Sequence, residues 1–404
     1  MEQNPLSHSA RNLKINDVIQ SITSHIQASQ LSSLNLGLLN GLAGKLLFLW
    51  QLSLYDESLV DEDGFAKKLE FLQENLNQVV GYAPFSAGLL GIGWLIEYMN
   101  QSQMGEYDVE LCQEIDEILL QGLCAGEWRG EIEMVLGLGG YAIYAARRRE
   151  LMTKSKFFDR ILNFYEQSAT SISGDMVSWS QPYESVYRLD KQNEFVQEYN
   201  LGLAHGVPGI IAALLPILDC EQLRDRAESL ISKSCNWLLY QQQDFKKYGS
   251  YFSTLTSTNK LSRLGWCYGD LTIALTLCRS GVTLNRSCLT EKGIEIGLHS
   301  ASRDPKSSII KDAAICHGSV GLYLIFKKLY KVTGIVEFEF ASSKWLDYTL
   351  SLFEDYGLTG LNKFISSGKL VENSGFLEGY AGIGLCLLSA LSDEDEWTDC
   401  LLLS

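Results

Sequence analysis

The sequence predicts an all-α protein, an α/α toroid of seven helix-pair repeats in two concentric rings, with a small β-rich insertion. Three observations carry this expectation. A Gly-x-x-Gly turn recurs along the chain, an almost wholly apolar segment follows each copy, and stripes with one apolar and one polar face precede them. Self-similarity at a period of tens of residues marks repeat architectures, whose units cannot cover their apolar faces alone.

The turns begin at Gly41, Gly88, Gly137, Gly206, Gly318 and Gly379, with a degenerate seventh copy at Gly269-Asp270-Leu271-Thr272. Their spacings of 47, 49, 69, 63, 49 and 61 residues leave room for two helices per unit. After the turns come Leu46 to Leu54, Ile92 to Met99, Tyr141 to Ala146, Ile210 to Leu218, Ile273 to Cys278, Leu322 to Leu329 and Ile383 to Leu391. A helix apolar on all sides is buried on all sides. Before the turns lie Ile15, Ile19, Ile22 and Ile26, then Phe65, Leu69, Leu72 and Leu76, then Leu111, Ile115 and Ile118, each set at helical spacing with polar residues between. Seven buried helices alternating with seven half-wet ones imply an inner and an outer ring. Six prolines in 404 residues suit such helix-rich packing. The glycines suit close packing of turn on helix start, and some suit positive φ. An open superhelical solenoid of helix pairs is the alternative, since sequence alone does not show closure.

The units occupy residues 1–404 as a single domain. In the longest gap, residues 172–199 are rich in Val, Tyr, Trp and Phe and read as short strands on the rim. The tail after Leu391 is an acidic stretch ending in a short apolar clip.

Composition narrows the function classes. A net charge of -16 argues against a nucleic-acid backbone or an anionic membrane surface as partner. The N-terminus lacks a secretory pattern, and no apolar stretch approaches the ~20 residues needed to span a bilayer. The expected location is cytoplasmic, with partners as the only route to the inner face of the membrane. Ten cysteines without a C-x-x-C pair fit a reducing compartment, where most are core residues and a few serve as ligands or nucleophiles.

Aligning the seven turns on their first glycine superposes the reactive residues. The preceding position holds Asn40, Ala87, Leu136, His205, Tyr268, His317 and Glu378; one position earlier stand Leu39, Ser86, Val135, Ala204, Cys267, Cys316 and Leu377. Both cysteines found in the turns thus fall at equivalent sites of adjacent units, at equal depth on one face. Neighbouring helices lie roughly 8–10 Å apart, a gap that two thiolates bonded to one Zn²⁺ at ~2.3 Å can close with their side chains. Cys267, Cys316 and His317 therefore make a candidate Cys₂His zinc site with one tetrahedral position open, the arrangement of catalytic zinc. The soft donors argue against Mg²⁺ or Ca²⁺. His205, one unit further round, is a candidate acid or base facing the open position, and a fourth ligand or a helix-start cap are its other readings. Tyr268 follows Cys267, and Arg263, four residues before it, is a candidate to stabilise developing negative charge, with a surface ion pair as its other reading. His8, His25 and His299 lie outside the turns and carry no assigned chemistry.

Four motifs, G-L-A-H-G-V-P-G from Gly202, R-L-G-W-C-Y-G from Arg263, C-H-G-S-V-G from Cys316 and L-E-G-Y-A-G from Leu377, resemble those of the lanthionine synthetase C-like family, the lantibiotic cyclases. The resemblance spans essentially the whole chain. It implies a seven-repeat toroid, zinc on Cys267, Cys316 and His317, His205 as acid/base, and Arg263 and Tyr268 lining the site. Glu133 stands where the family has an aspartate, four residues before the third turn's first glycine, and Asp270 and Thr272 depart from the family's fifth turn. The implied reaction adds a peptide cysteine thiol across a dehydroalanine or dehydrobutyrine of the same peptide, closing a thioether ring. The implied partners are a dehydrated precursor peptide, a separate dehydratase and an exporter. A non-catalytic relative holding glutathione or another small thiol on zinc is the first alternative. A toroidal glycosidase would need Glu133 and Glu378 as its carboxylate pair, and a zinc prenyl-transfer subunit shares the rings but not the motif order.

Overall fold

The computed structural model describes residues 8–32, 34–101, 109–182 and 197–404. Among them, fourteen helices longer than one turn alternate between two rings. The outer set is α1 (His8–Gln27), α3 (Glu62–Glu74), α5 (Val109–Cys124), α7 (Leu151–Ser168), α9 (Arg224–Tyr240), α11 (Ser287–Ala301) and α13 (Val336–Tyr356). The inner set is α2 (Leu42–Tyr55), α4 (Leu89–Gln101), α6 (Leu138–Arg147), α8 (Val207–Leu214), α10 (Asp270–Thr283), α12 (Ser319–Thr333) and α14 (Tyr380–Ser392), each beginning at one of the seven glycine turns. The all-apolar segments behave as their composition demands: Leu89 to Tyr98 of α4 and Tyr380 to Ser389 of α14 are buried without interruption.

The ring closes. Each inner helix touches the next, and α14 returns to pack on α2. This excludes the open solenoid. The sequence grouping pairs each outer helix with the turn that follows it, whereas the extensive packing runs between an inner helix and the outer helix after it: α2 with α3, α6 with α7, α10 with α11, α12 with α13. The last inner helix has no successor, and α1 fills that place against α14 and α13. Arg11 of α1 fixes it there with a two-pronged bond to Asp347 of α13, both arms 2.8 Å.

A second closure runs through the main chain. The residue two before the first glycine of each turn donates its N–H to the carbonyl of the equivalent residue in the next turn: Leu39 to Ser86 (3.0 Å), Ser86 to Val135 (3.0 Å), Ala204 to Cys267 (3.4 Å), Cys267 to Cys316 (3.2 Å), Cys316 to Leu377 (3.1 Å), and Leu377 back to Leu39 (2.7 Å). At the seventh junction Val135 N–H turns instead to the Glu133 carboxylate, at 2.7 Å. The second glycine of a turn is needed for room: at Gly44, Gly91, Gly209, Gly321 and Gly382 a Cβ would run into the carbonyl six residues earlier. Positive φ is required at only one of the seven starting glycines, Gly269 (φ 109°), in the turn whose fourth residue is Thr272.

Strands are few. β1 (Thr170–Ser173) pairs with β2 (Met176–Ser178), and β3 (Gln181–Pro182) with β4 (Gln197–Glu198), all antiparallel and largely within the stretch expected to be β-rich; half of that stretch, residues 183–196, lies outside the described residues. A further hairpin, β5 (Lys363–Phe364) with β6 (Leu370–Val371), precedes the seventh turn and was not anticipated from sequence. The terminal clip is buried at Trp397, Cys400, Leu401, Leu402 and Leu403. It is bonded to the inner ring through Trp266 Nε1 to Leu401 O and Arg279 Nη1 to Leu402 O, both 2.8 Å. No helix among the described residues is long and apolar enough to cross a membrane.

The α14–α2 seam gives a direct test of closure. Gly384 of α14 lies against the Phe48 ring of α2, where a Cβ would collide. Gly384→Ala should lower stability in urea unfolding by about 1–3 kcal/mol, the usual cost of overpacking; an unchanged midpoint would mean the seam is loose.

Candidate metal centre and active site

The fifth and sixth turns are pinned to each other before any side chain is considered. Trp266 and Cys267 both donate their N–H to Cys316 O, at 2.8 and 3.2 Å. Gly265 permits this approach, because a Cβ there would sit 2.9 Å from Cys316 O and 3.1 Å from His317 Cα. As a result one ligand atom from each of Cys267, Cys316 and His317 lies within 4.8 Å of the other two, and among the described residues this is the only such cluster of three. A tetrahedral zinc with bonds of ~2.0–2.3 Å needs its donors roughly 3.3–3.8 Å apart, so the trio fits an ion after a shift of about an ångström. The three donors also act on one another. The hydrogen bond with Cys316 draws the Cys267 thiol down to about 5 despite its burial, helped by His317 and Arg263. The same hydrogen bond, with burial, pushes Cys316 up.

Behind His317 stands Asp312. Its Oδ2 lies 3.5 Å from His317 Nε2 and accepts Phe364 N–H at 3.0 Å, while Oδ1 accepts Ala314 N–H at 3.1 Å. A carboxylate on one ring nitrogen leaves the other to face a metal, the arrangement that orients most histidine ligands. Burial alone would lower the His317 pKa, yet Asp312 and Cys267 hold it up at about 9.

His205 is placed by the junction that lacks the main-chain bond. Its Nδ1 lies 3.0 Å from Glu133 Oε2, and Glu133, buried, also accepts Val135 N–H and Leu136 N–H at 2.7 Å each. An acceptor carboxylate makes Nδ1 the protonated nitrogen and leaves Nε2 as the working one. The His205 side chain is 28% exposed. Tyr268 is buried beside it, ring centroids 6.4 Å apart, with its phenol oxygen accepting Asn200 Nδ2 at 3.1 Å. Arg263 is exposed; its charge acts on both thiols, and among the described residues it makes no ion pair. All seven inner helices begin at this face, so their N-terminal partial charges favour developing anions here.

A family model described as lanthionine synthetase C-like protein matches residues 32–402. The chain belongs to the lanthionine synthetase C-like family. A solved structure, nisin cyclase, matches with a TM-score of 0.73 over 96% of each chain at 20% identity, a likeness in fold.

In this family member the structure brings together every site residue the sequence singled out: the trio in one cluster, His205 with Glu133, Tyr268 beside His205, and Arg263 within electrostatic reach of the thiols. Three supporting residues were missed: Asp312, Asn200 and Lys363. Asp312 and Asn200 occupy the same place, six residues before the first glycine, and each caps the N–H two residues on through its own side chain. Asn373 does the same in the seventh turn. A search at that position would have found both. Lys363, 2.5 Å from Glu378, comes from the unanticipated hairpin and has no repeat equivalent to betray it.

If Asp312 orients His317, Asp312→Asn should weaken zinc affinity by about 10- to 100-fold, the usual effect of losing an outer-shell partner. Competition with a chromophoric chelator measures this, and wild-type affinity in the variant would show that the carboxylate only braces the loop.

Proposed function

We propose that this protein is a zinc-dependent lanthionine-forming cyclase, adding cysteine thiols of a dehydrated precursor peptide to its dehydroalanine or dehydrobutyrine residues. One observation carries the reading: a three-ligand Cys₂His cluster stands one ring step from an imidazole backed by a carboxylate. Cys267, Cys316 and His317 would hold the zinc, and three protein ligands leave the fourth position for a substrate. Zinc, when bound, would supply the Lewis acidity that makes a peptide thiol nucleophilic at neutral pH.

The chain's own residues account for the rest. As the C–S bond forms at the β-carbon, the Cα=Cβ π electrons move onto the α-carbon and the adjoining carbonyl. Arg263 and Tyr268 would stabilise that enolate, aided by the inner-helix N-termini. His205 then delivers a proton to the α-carbon from Nε2, balancing the one the peptide thiol gives up on becoming a thiolate, while Glu133 holds Nδ1. Glu133 and Glu378, the pair a glycosidase would require, are engaged by His205 and Lys363 instead.

The reaction consumes residues already dehydrated, which requires a separate dehydratase, and a finished peptide requires an exporter; both are partners in this proposal. The protein would work in the cytoplasm, meeting the membrane's inner face only through such partners, as a single domain spanning residues 1–404 with the 172–199 segment as an insertion.

Incubating the zinc-loaded protein with dehydrated precursor peptides and counting free thiols tests the reading. Thiols should disappear without change in peptide mass; no loss with any cognate peptide would sink it, and tight retention of glutathione in that case would favour the binding-protein alternative. His205→Asn should keep its zinc while ring closure slows by about 10²–10⁴-fold, the range expected for a lost general acid. Undiminished turnover would remove His205 from the chemistry.

A further inference from the structure

A fourth potential metal ligand stands in the next ring unit beside the trio, and it is already engaged. Glu378 occupies the ring position equivalent to His317 in the next unit. The adjacent Leu377 carbonyl accepts Cys316 N–H at 3.1 Å, and the charge of Glu378 acts on the Cys316 thiol. Carboxylates bind zinc well, and a fourth protein ligand closes the coordination shell in the manner of structural sites. Glu378 nevertheless lies outside the ligand cluster, with Oε2 2.5 Å from Lys363 Nζ.

Lys363 is delivered by a built element. The β5–β6 hairpin is tied to the site by Phe364 N–H on Asp312 Oδ2, and Lys311 Nζ lies 4.4 Å from the Phe364 ring centroid. The ammonium therefore arises from a backbone anchored to the carboxylate behind His317. Both halves of the pair are mostly shielded from solvent, 25% and 20% exposed, which strengthens their attraction relative to a surface pair.

We propose that Lys363 guards the open metal position: by holding Glu378 in an ion pair it keeps that carboxylate off the metal and reserves the fourth site for the substrate thiol. The inference rests on Cys267, Cys316 and His317 holding the metal. Lys363 is a positioning residue that acts through Glu378. Its ammonium also offsets a negative charge that would repel an incoming thiolate.

The test uses the full chain as wild type, Lys363→Ala, Lys363→Arg and Lys363→Ala/Glu378→Gln, loaded with zinc or cobalt(II). With Glu378 released onto the metal as a fourth protein ligand, Lys363→Ala should bind zinc more tightly than wild type in chelator competition. Its cobalt form should gain no sulfur-to-metal charge-transfer absorbance on addition of N-acetylcysteine, whereas wild type and Lys363→Arg should. The double variant should return to wild-type behaviour in both readouts. Wild-type affinity and thiol response in Lys363→Ala would overturn the guard role, as would a double variant that behaves like the single one. Lys363→Gln, which keeps a polar side chain, decides the matter by the same readouts if the alanine variant melts early. A wild-type protein that takes up neither metal would overturn the metal reading and the guard role together, which distinguishes that failure from loss of the guard alone.

Discussion

The loop of main-chain hydrogen bonds through the glycine turns is the constraint on which the rest of the structure depends. Each bond contributes only about 0.5–1.5 kcal/mol net, but an unmade one among buried groups costs more. Six junctions use the same donor and acceptor, so neighbouring turns are fixed in depth and register. Cys267 and Cys316 are successive members of that loop, and their side chains converge because their peptides are bonded to each other. The candidate ligand cluster is thus a consequence of ring geometry, with His317 added by being next in sequence.

The single junction without the bond is equally informative. Between Val135 and Ala204 the carboxylate of Glu133 takes the Val135 N–H and reaches across to His205. A side-chain bridge replaces a main-chain one at the place where the proposed proton donor stands. The extra methylene of a glutamate, where the family has an aspartate, does not prevent this bridge. The two parts of the site therefore straddle the loop, with Tyr268 and its partner Asn200 between them.

How much of this was legible follows from where the information resides. The repeat is local, so the fourteen helices, the buried character of the inner set and the alignment of Cys267 with Cys316 could all be read from glycine spacing. The motifs around His205, Arg263, Cys316 and Glu378 then pointed to the family. Closure was expected and the resemblance implied it, but the repeat itself could not show it, because it depends on α14 meeting α2 and on α1 filling the slot beside α14, contacts between residues more than three hundred apart. Asp312 escaped because an aspartate before a turn resembles any local cap, and its role appears only when His317 and Phe364 are seen on the same oxygen. Lys363 lies in a hairpin too short for a strand signal. Positive φ, expected at several turns, is confined to Gly269, since the remaining turns need glycine for space.

Binding of one metal by the trio, with one position open, is what the proposed chemistry requires. X-ray absorption at the zinc edge of the purified, zinc-loaded protein, together with its metal content, measures this most directly. It should find about one zinc per chain with two sulfur neighbours at ~2.3 Å, one imidazole nitrogen and one further light atom at ~2.0 Å. A site with no sulfur neighbours, or the same two-sulfur spectrum in Cys316→Ala, would contradict it.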